Sequence, residues 1–181
     1  GDKLIGGPQA GVIAGKKELI SKLKKEPMVR ALRIGKTTIA FMQAALSYYL
    51  DEKRLFEHNR IFEMLNRPDG DLELSAIELK AKFKDVGIIT SVVPSDGFCG
   101  GGAMPDESLP SFSVKIEKEF PSNKDKVTYS EKLFYQLLMQ PVPIVSVLKK
   151  GEIYFDVLTI DKQDFDKIVN IVQEAEKQIE S

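Results

Sequence analysis

One cysteine, Cys99, and one histidine, His58, stand among the 181 residues. A lone cysteine permits no internal disulfide and leaves a cysteine-based metal site without ligands, so the chain reads as cytosolic. Charge of either sign is not in excess: 26 Lys and Arg against 27 Asp and Glu give a net charge of −1. No global basic field therefore announces RNA, which argues against this stretch being the main grip on a nucleic acid. No apolar run approaches a membrane span, nothing resembles a signal peptide, and no repeat or low-complexity tract is present. What is there is ordinary globular material, 43% hydrophobic and 29% charged, long enough to bury a real core in one domain or a little more.

Patterning divides the chain near residues 67–71, where Pro and Gly cluster. Before that point, residues 10–14 read as a short strand and 16–25 as an amphipathic helix broken by Pro27. Lys16, Lys17, Lys22, Lys24 and Lys25 fit the solvated face of that helix better than a local RNA patch. Residues 37–50 and 58–65 read as two further helices. Beyond the division the expected order is helix 71–86, strand 87–93, a loop over 94–110, strand 112–116, helix 128–140, strands 144–148 and 152–157, and helix 164–179. Thr128 and Glu131 form a capping box for the helix over 128–140, and Asp161 a cap for the last helix. Four strands with helices between them predict an α+β layer: an antiparallel-rich sheet with helices on one face.

Chemistry is concentrated at the start. In Gly1-Asp2-Lys3-Leu4-Ile5-Gly6-Gly7-Pro8-Gln9 a lysine lies between an acid and an apolar pair, ahead of a Gly-Gly-Pro turn. An amine in a partly dry pocket loses its proton near neutral pH and attacks an aldehyde, while glycines let a backbone approach a phosphate. Both suit pyridoxal 5′-phosphate (PLP), although on composition alone a surface turn explains them equally. Asp2 is then a turn acid or an orienting group, and Gly6, Gly7 and Gln9 are phosphate contacts or simply loop geometry. Arg30 and Arg33, three apart with Ala31 and Leu32 between, are either exposed helix arginines or a pair of forks for a phosphate-like oxyanion. Cys99, beside Gly100-Gly101-Gly102, reads as an incidental thiol, and the glycine run lacks the Lys-Ser/Thr ending of a P-loop. His58 reads as a surface or helix-end residue, and Arg67 as half of a structural ion pair.

The segment Gly1 to Ile20 resembles the PLP-lysine segment of bacterial L-seryl-tRNA(Sec) selenium transferase, the selenocysteine synthase family. The resemblance continues through Arg30 to Lys36, Met64 to Pro68, Gly100 to Pro105, Leu109 to Ser111, Pro141 to Val145 and Gly151 to Asp156, in order and over nearly the whole chain. One departure is Gly35, where the family usually carries an acid.

The resemblance implies an α/β fold: the C-terminal part of a PLP-dependent transferase of the aspartate-aminotransferase type (fold type I). Residues 1–68 would end the large PLP-binding domain and include its linking helix, and residues 69–181 would form the small α+β domain. It implies that Lys3 holds the cofactor, that Asp2 accompanies it, and that Gly6, Gly7 and Gln9 approach the phosphate, of this or a neighbouring subunit. It implies that Arg30 and Arg33 bind selenophosphate, that seryl-tRNA(Sec) is the other substrate, and that the whole protein is a cytoplasmic homo-oligomer with no membrane partner. The chain would then be a fragment, inactive alone. Two rivals stand beside this reading: a related PLP-dependent lyase acting on a small amino acid or amino-sugar acid, and a non-catalytic interaction domain in which Lys3 is an ordinary turn lysine.

Overall fold

The computed structural model describes residues 1–98 and 108–180, so Cys99 and the Gly100–Gly102 run lie outside the described residues. Among the described residues the chain divides into two compact units, the first over Gly1–Asn66 and the second over Arg67–Phe98 and from Ser108 onward.

In the first unit a turn at Lys3 leads into irregular chain and then five helices: α1 (Lys17–Leu23), α2 (Pro27–Ala31), α3 (Lys36–Ser47), α4 (Glu52–His58) and α5 (Arg60–Leu65), with a single 3-10 turn at Tyr48–Leu50 after α3. The strand expected over 10–14 is absent: the segment has no strand partner among the described residues, and Val12 and Ile13 are exposed. Pro27 ends one helix but also begins the next, because its fixed φ and missing N–H suit a first helical position. The sequence reading missed α4, which starts where the Asp51 carboxylate accepts the N–H groups of Lys53 and Arg54 at 3.0 and 3.4 Å. Among the described residues of this unit only Met42 and Leu55 are buried apolar side chains.

The second unit runs α6 (Asp69–Asp85), β1 (Thr90–Phe98), β2 (Ser108–Ile116), α7 (Asn123–Leu138), β3 (Val147–Lys149), β4 (Glu152–Asp156) and α8 (Phe165–Glu180). The strands form one sheet in the order β1-β2-β4-β3, each neighbouring pair antiparallel. Register puts Val114 opposite both Val92 and Phe155, so one face of the sheet is apolar, and α6 packs on it with Phe83 against Phe155 at 5.5 Å between ring centroids. The inward residues expected for α8, Phe165, Ile168, Val169 and Val172, are all buried. An antiparallel sheet with an apolar face under helices is therefore as the pattern implied.

The other sheet face is polar. Ser95 and Ser111 donate to the Asp156 carboxylate at 2.8 and 2.6 Å, and the Leu158 N–H adds a third bond at 3.0 Å. Further along, Glu152 accepts from Lys126 at 2.6 Å and from the Tyr154 hydroxyl at 2.5 Å, with Lys115 at 3.6 Å. The Lys126 ammonium and then the Tyr154 hydroxyl hold Glu152 down from 4.5 to about 2. Arg67 anchors the unit's first turn to its far end: Nη1 donates to the carbonyls of Val157, Leu158 and Ile160, and Nη2 reaches Asp161 at 3.1 Å. Asp161 consequently spends its carboxylate on Arg67 and caps no helix. Among the described residues no helix is long and apolar enough to cross a membrane.

Candidate active-site turn

Lys3 roots a tight turn. The Gly6 N–H donates to the Lys3 carbonyl at 3.0 Å, and Gly6 itself has φ +70°, a region where a side chain is strained. A Cβ at Gly6 would also lie 2.7 Å from the Asn59 amide nitrogen. The Gly7 N–H donates to the Gly1 carbonyl at 2.7 Å, and Gly7 sits against α3, where a Cβ would meet Met42 Sδ at 3.0 Å. Local chemistry thus demands both glycines for packing and turn geometry, and their N–H groups are engaged inside the turn.

Two side chains from elsewhere in the unit hold the same turn. Asn59, only 7% exposed, donates from Nδ2 to the Ile5 carbonyl at 3.0 Å. Its Oδ1 accepts the N–H groups of Ile61 and Phe62, so it also caps α5. The Tyr49 hydroxyl donates to the Leu4 carbonyl at 3.1 Å, and its ring meets Phe62 edge-on at 5.6 Å. Partial desolvation raises the Tyr49 hydroxyl above its ordinary value of 10.0, against the opposing pull of Asn59. Neither residue was singled out from sequence. The available signal was an Asn immediately before a helical run, which marks a cap but not a tether.

The Lys3 side chain, by contrast, is exposed, and among the described residues its amine makes no ion pair. Asp2 and Gln9 are exposed as well. Arg30 lies in the last turn of α2, and Arg33 follows the helix end, its N–H donating to the Arg30 carbonyl at 3.4 Å. Both arginines are exposed, and among the described residues no hydrogen bond or ion pair joins them to the Lys3 turn. His58 ends α4 and stacks on Tyr48 at 5.0 Å, with the Arg54 guanidinium over the same ring at 5.7 Å. Gly35 precedes α3 without a side-chain cap, and a Cβ there would meet nothing. A side chain at position 35 would thus meet no clash. The second unit has a cleft of about 290 Å³ lined by Val142, Ile144, Tyr154, Asp156, Asp164 and Lys167, and none of the sequence candidates lines it.

A family model described as L-seryl-tRNA selenium transferase matches residues 1–161. Curated relatives named L-seryl-tRNA(Sec) selenium transferase are 38% identical over 171 residues in Clostridium botulinum (strain Hall), covering 93% of this chain and 36% of the relative. In Aquifex aeolicus the figures are 35% over 175 residues, 96% and 37%, and in Geotalea daltonii 34% over 178 residues, 96% and 37%. The chain therefore spans about a third of the length of the curated relatives it matches.

Proposed function

Since the chain belongs to the L-seryl-tRNA selenium transferase family, we propose that it is the C-terminal part of a PLP-dependent, fold type I transferase that converts seryl-tRNA(Sec) to selenocysteinyl-tRNA(Sec). The observation that carries this reading is the Lys3 turn: an exposed amine without an ion pair, on a backbone fixed by hydrogen bonds. Residues 1–68 then end the cofactor domain, and residues 69–181 are its small α+β partner. The intact protein works as a cytoplasmic homo-oligomer.

The donor set fits a group that carries an aldehyde and a phosphate. The Lys3 amine is free to condense with the aldehyde, and the exposed Gln9 amide can donate to the phosphate. Gly6 and Gly7 serve by keeping that stretch of backbone narrow, since their N–H groups are used within the turn. When bound, PLP supplies an electron sink for the substrate α-carbon. The Lys3 amine would hold the cofactor's aldehyde and, once freed, would take the α-proton and later return a proton at the same carbon. Asp2 orients Lys3 from the adjacent position. Arg30 and Arg33 hold selenophosphate by charge-assisted bonds, a role open to them because a seryl-tRNA carries its carboxyl as an ester and needs no carboxylate clamp. Alone, the chain is inactive, because a third of the relatives' length leaves most of such a pocket unbuilt.

Borohydride reduction of the full-length protein, followed by peptide mapping, tests the assignment. A pyridoxyl adduct is expected on Lys3 and none in Lys3→Ala; an adduct on another lysine defeats the proposal. Single-turnover kinetics with seryl-tRNA test the arginines. Arg30→Ala or Arg33→Ala should slow selenium incorporation by about ten- to a hundredfold, from the loss of roughly 1.5–3 kcal/mol of charged hydrogen bonding, while loss of the serine hydroxyl is spared. Arg→Lys should rescue only part, since a point charge lacks the planar fork. Equal loss in both steps would mean a structural or tRNA-binding role.

A further inference from the structure

We propose that Asn59 is a positioning residue for Lys3: its amide N–H fixes the carbonyl of Ile5, and so aims the root of the lysine side chain. The inference rests on the reading of Lys3 as the cofactor lysine.

Capping α5 requires only an acceptor. Serine or aspartate would serve at that position as well as asparagine. The Asn59 carbonyl oxygen already performs this task, accepting from Ile61 at 3.0 Å and from Phe62 at 3.4 Å. The Nδ2 donor is surplus to capping, yet it is spent on Ile5, 54 residues upstream. The turn has made room for it. With a side chain at Gly6 a Cβ would stand 2.7 Å from that nitrogen, so the close approach depends on glycine.

Three successive carbonyls are thereby held by three different donors. The Lys3 carbonyl takes the Gly6 N–H, the Leu4 carbonyl takes the Tyr49 hydroxyl, and the Ile5 carbonyl takes Asn59 Nδ2. Phe62 links the last two, since its N–H is capped by Asn59 and its ring meets Tyr49. The main chain at Lys3 is fixed while its side chain is exposed. A lysine that must first hold a cofactor and then swing to carry a proton needs that combination: a rigid root and a mobile arm. Asn59 supplies the buried part of the root, and Tyr49 the exposed part.

The test separates cap from tether in the full-length protein. Asn59→Ser keeps a capping oxygen, but its short hydroxyl no longer reaches the Ile5 carbonyl; Asn59→Ala loses both cap and tether. Asn59→Ser should melt with the unchanged protein while PLP trapping at Lys3 by borohydride slows about three- to tenfold. Induced circular dichroism in the cofactor's visible band should weaken, and the Gly6 amide should exchange faster. Tyr49→Phe, which removes one exposed bond and no cap, should move the same readouts in the same direction by about twofold, and it decides the matter if Asn59→Ser folds poorly. Unchanged trapping and dichroism at Lys3 in a folded Asn59→Ser protein, or in Tyr49→Phe should that variant be needed, overturn the inference alone. Trapping at a different lysine in the unchanged protein overturns the cofactor assignment and this inference with it.

Discussion

Phe155 and Phe41 carry the same side chain, and solvent reaches 1% of the first and 61% of the second. The contrast extends to their units. In the second unit Leu79, Phe83, Leu133, Leu137, Ile153 and Phe165 close a core between the sheet and its helices. In the first, Met28, Leu32, Phe41 and Leu50 all face outward, and among its described residues the buried apolar ones are Met42 and Leu55. Burying a large apolar side chain is worth roughly 1.5–3 kcal/mol, so the second unit can hold itself together while the first leaves that free energy unclaimed. The second unit also leaves large apolar side chains exposed, among them Ile89, Phe98, Met139 and Val145, so what separates the units is the buried core. The proposed chemistry sits in the unit that is least able to stand alone. Its Lys3 turn is ordered by directed hydrogen bonds from Asn59 and Tyr49, not by a core of its own.

Core truncation should break the two units unequally, and this is the largest effect. Phe155→Ala is expected to cost about 3–5 kcal/mol in a denaturant melt of this chain, whereas Phe41→Ala should change it by less than about 0.5 kcal/mol. A substantial loss at Phe41 would mean the first unit has a core after all. Acid sharpens the comparison next. Glu152 is held near 2 in the folded chain against 4.5 otherwise, so its contribution to stability is complete above 4.5 and disappears as the pH falls toward 2. Melts across that range should show the second unit weakening, and Glu152→Gln should remove this part of the slope. The smallest effect lies at the first unit's open cap. Gly35→Asp restores an acceptor before α3 at a position with free space, and should raise helix stability by a few tenths of a kcal/mol.

The same contrast governs what was legible in sequence. Alternation and helical spacing report burial, so the second unit, where burial is real, is the more legible: α8 and β4 lie within a residue of their expected places, whereas the strand expected over 144–148 starts only at Val147. The errors there are local. The sequence predicts a loop from Pro94, yet β1 continues through it to Phe98 because an edge strand has no partner waiting for the missing N–H. The Thr128/Glu131 box lies inside α7, whose cap is Ser122, accepting the Asp125 N–H at 3.2 Å and donating to its carboxylate at 2.7 Å. In the first unit apolar residues face outward, and the pattern misleads: Val12 and Ile13 imitate a strand that has no partner among the described residues. The site divides likewise. Lys3 and its glycines announce themselves by local composition, whereas the tethers at Asn59 and Tyr49 join residues too far apart in sequence for any window to connect.

Open sheet edges are where chains stick to one another, and this sheet has two. β1 is long, but Pro94 deletes a donor from its middle and Asp96 puts a charge beside it. β3 spans only Val147–Lys149, and Lys150 follows it at φ 52°, turning the backbone away at once. Neither edge offers a long, flat, neutral template for another strand. Unwanted strand-to-strand aggregation is thereby suppressed at both edges of the second unit's sheet.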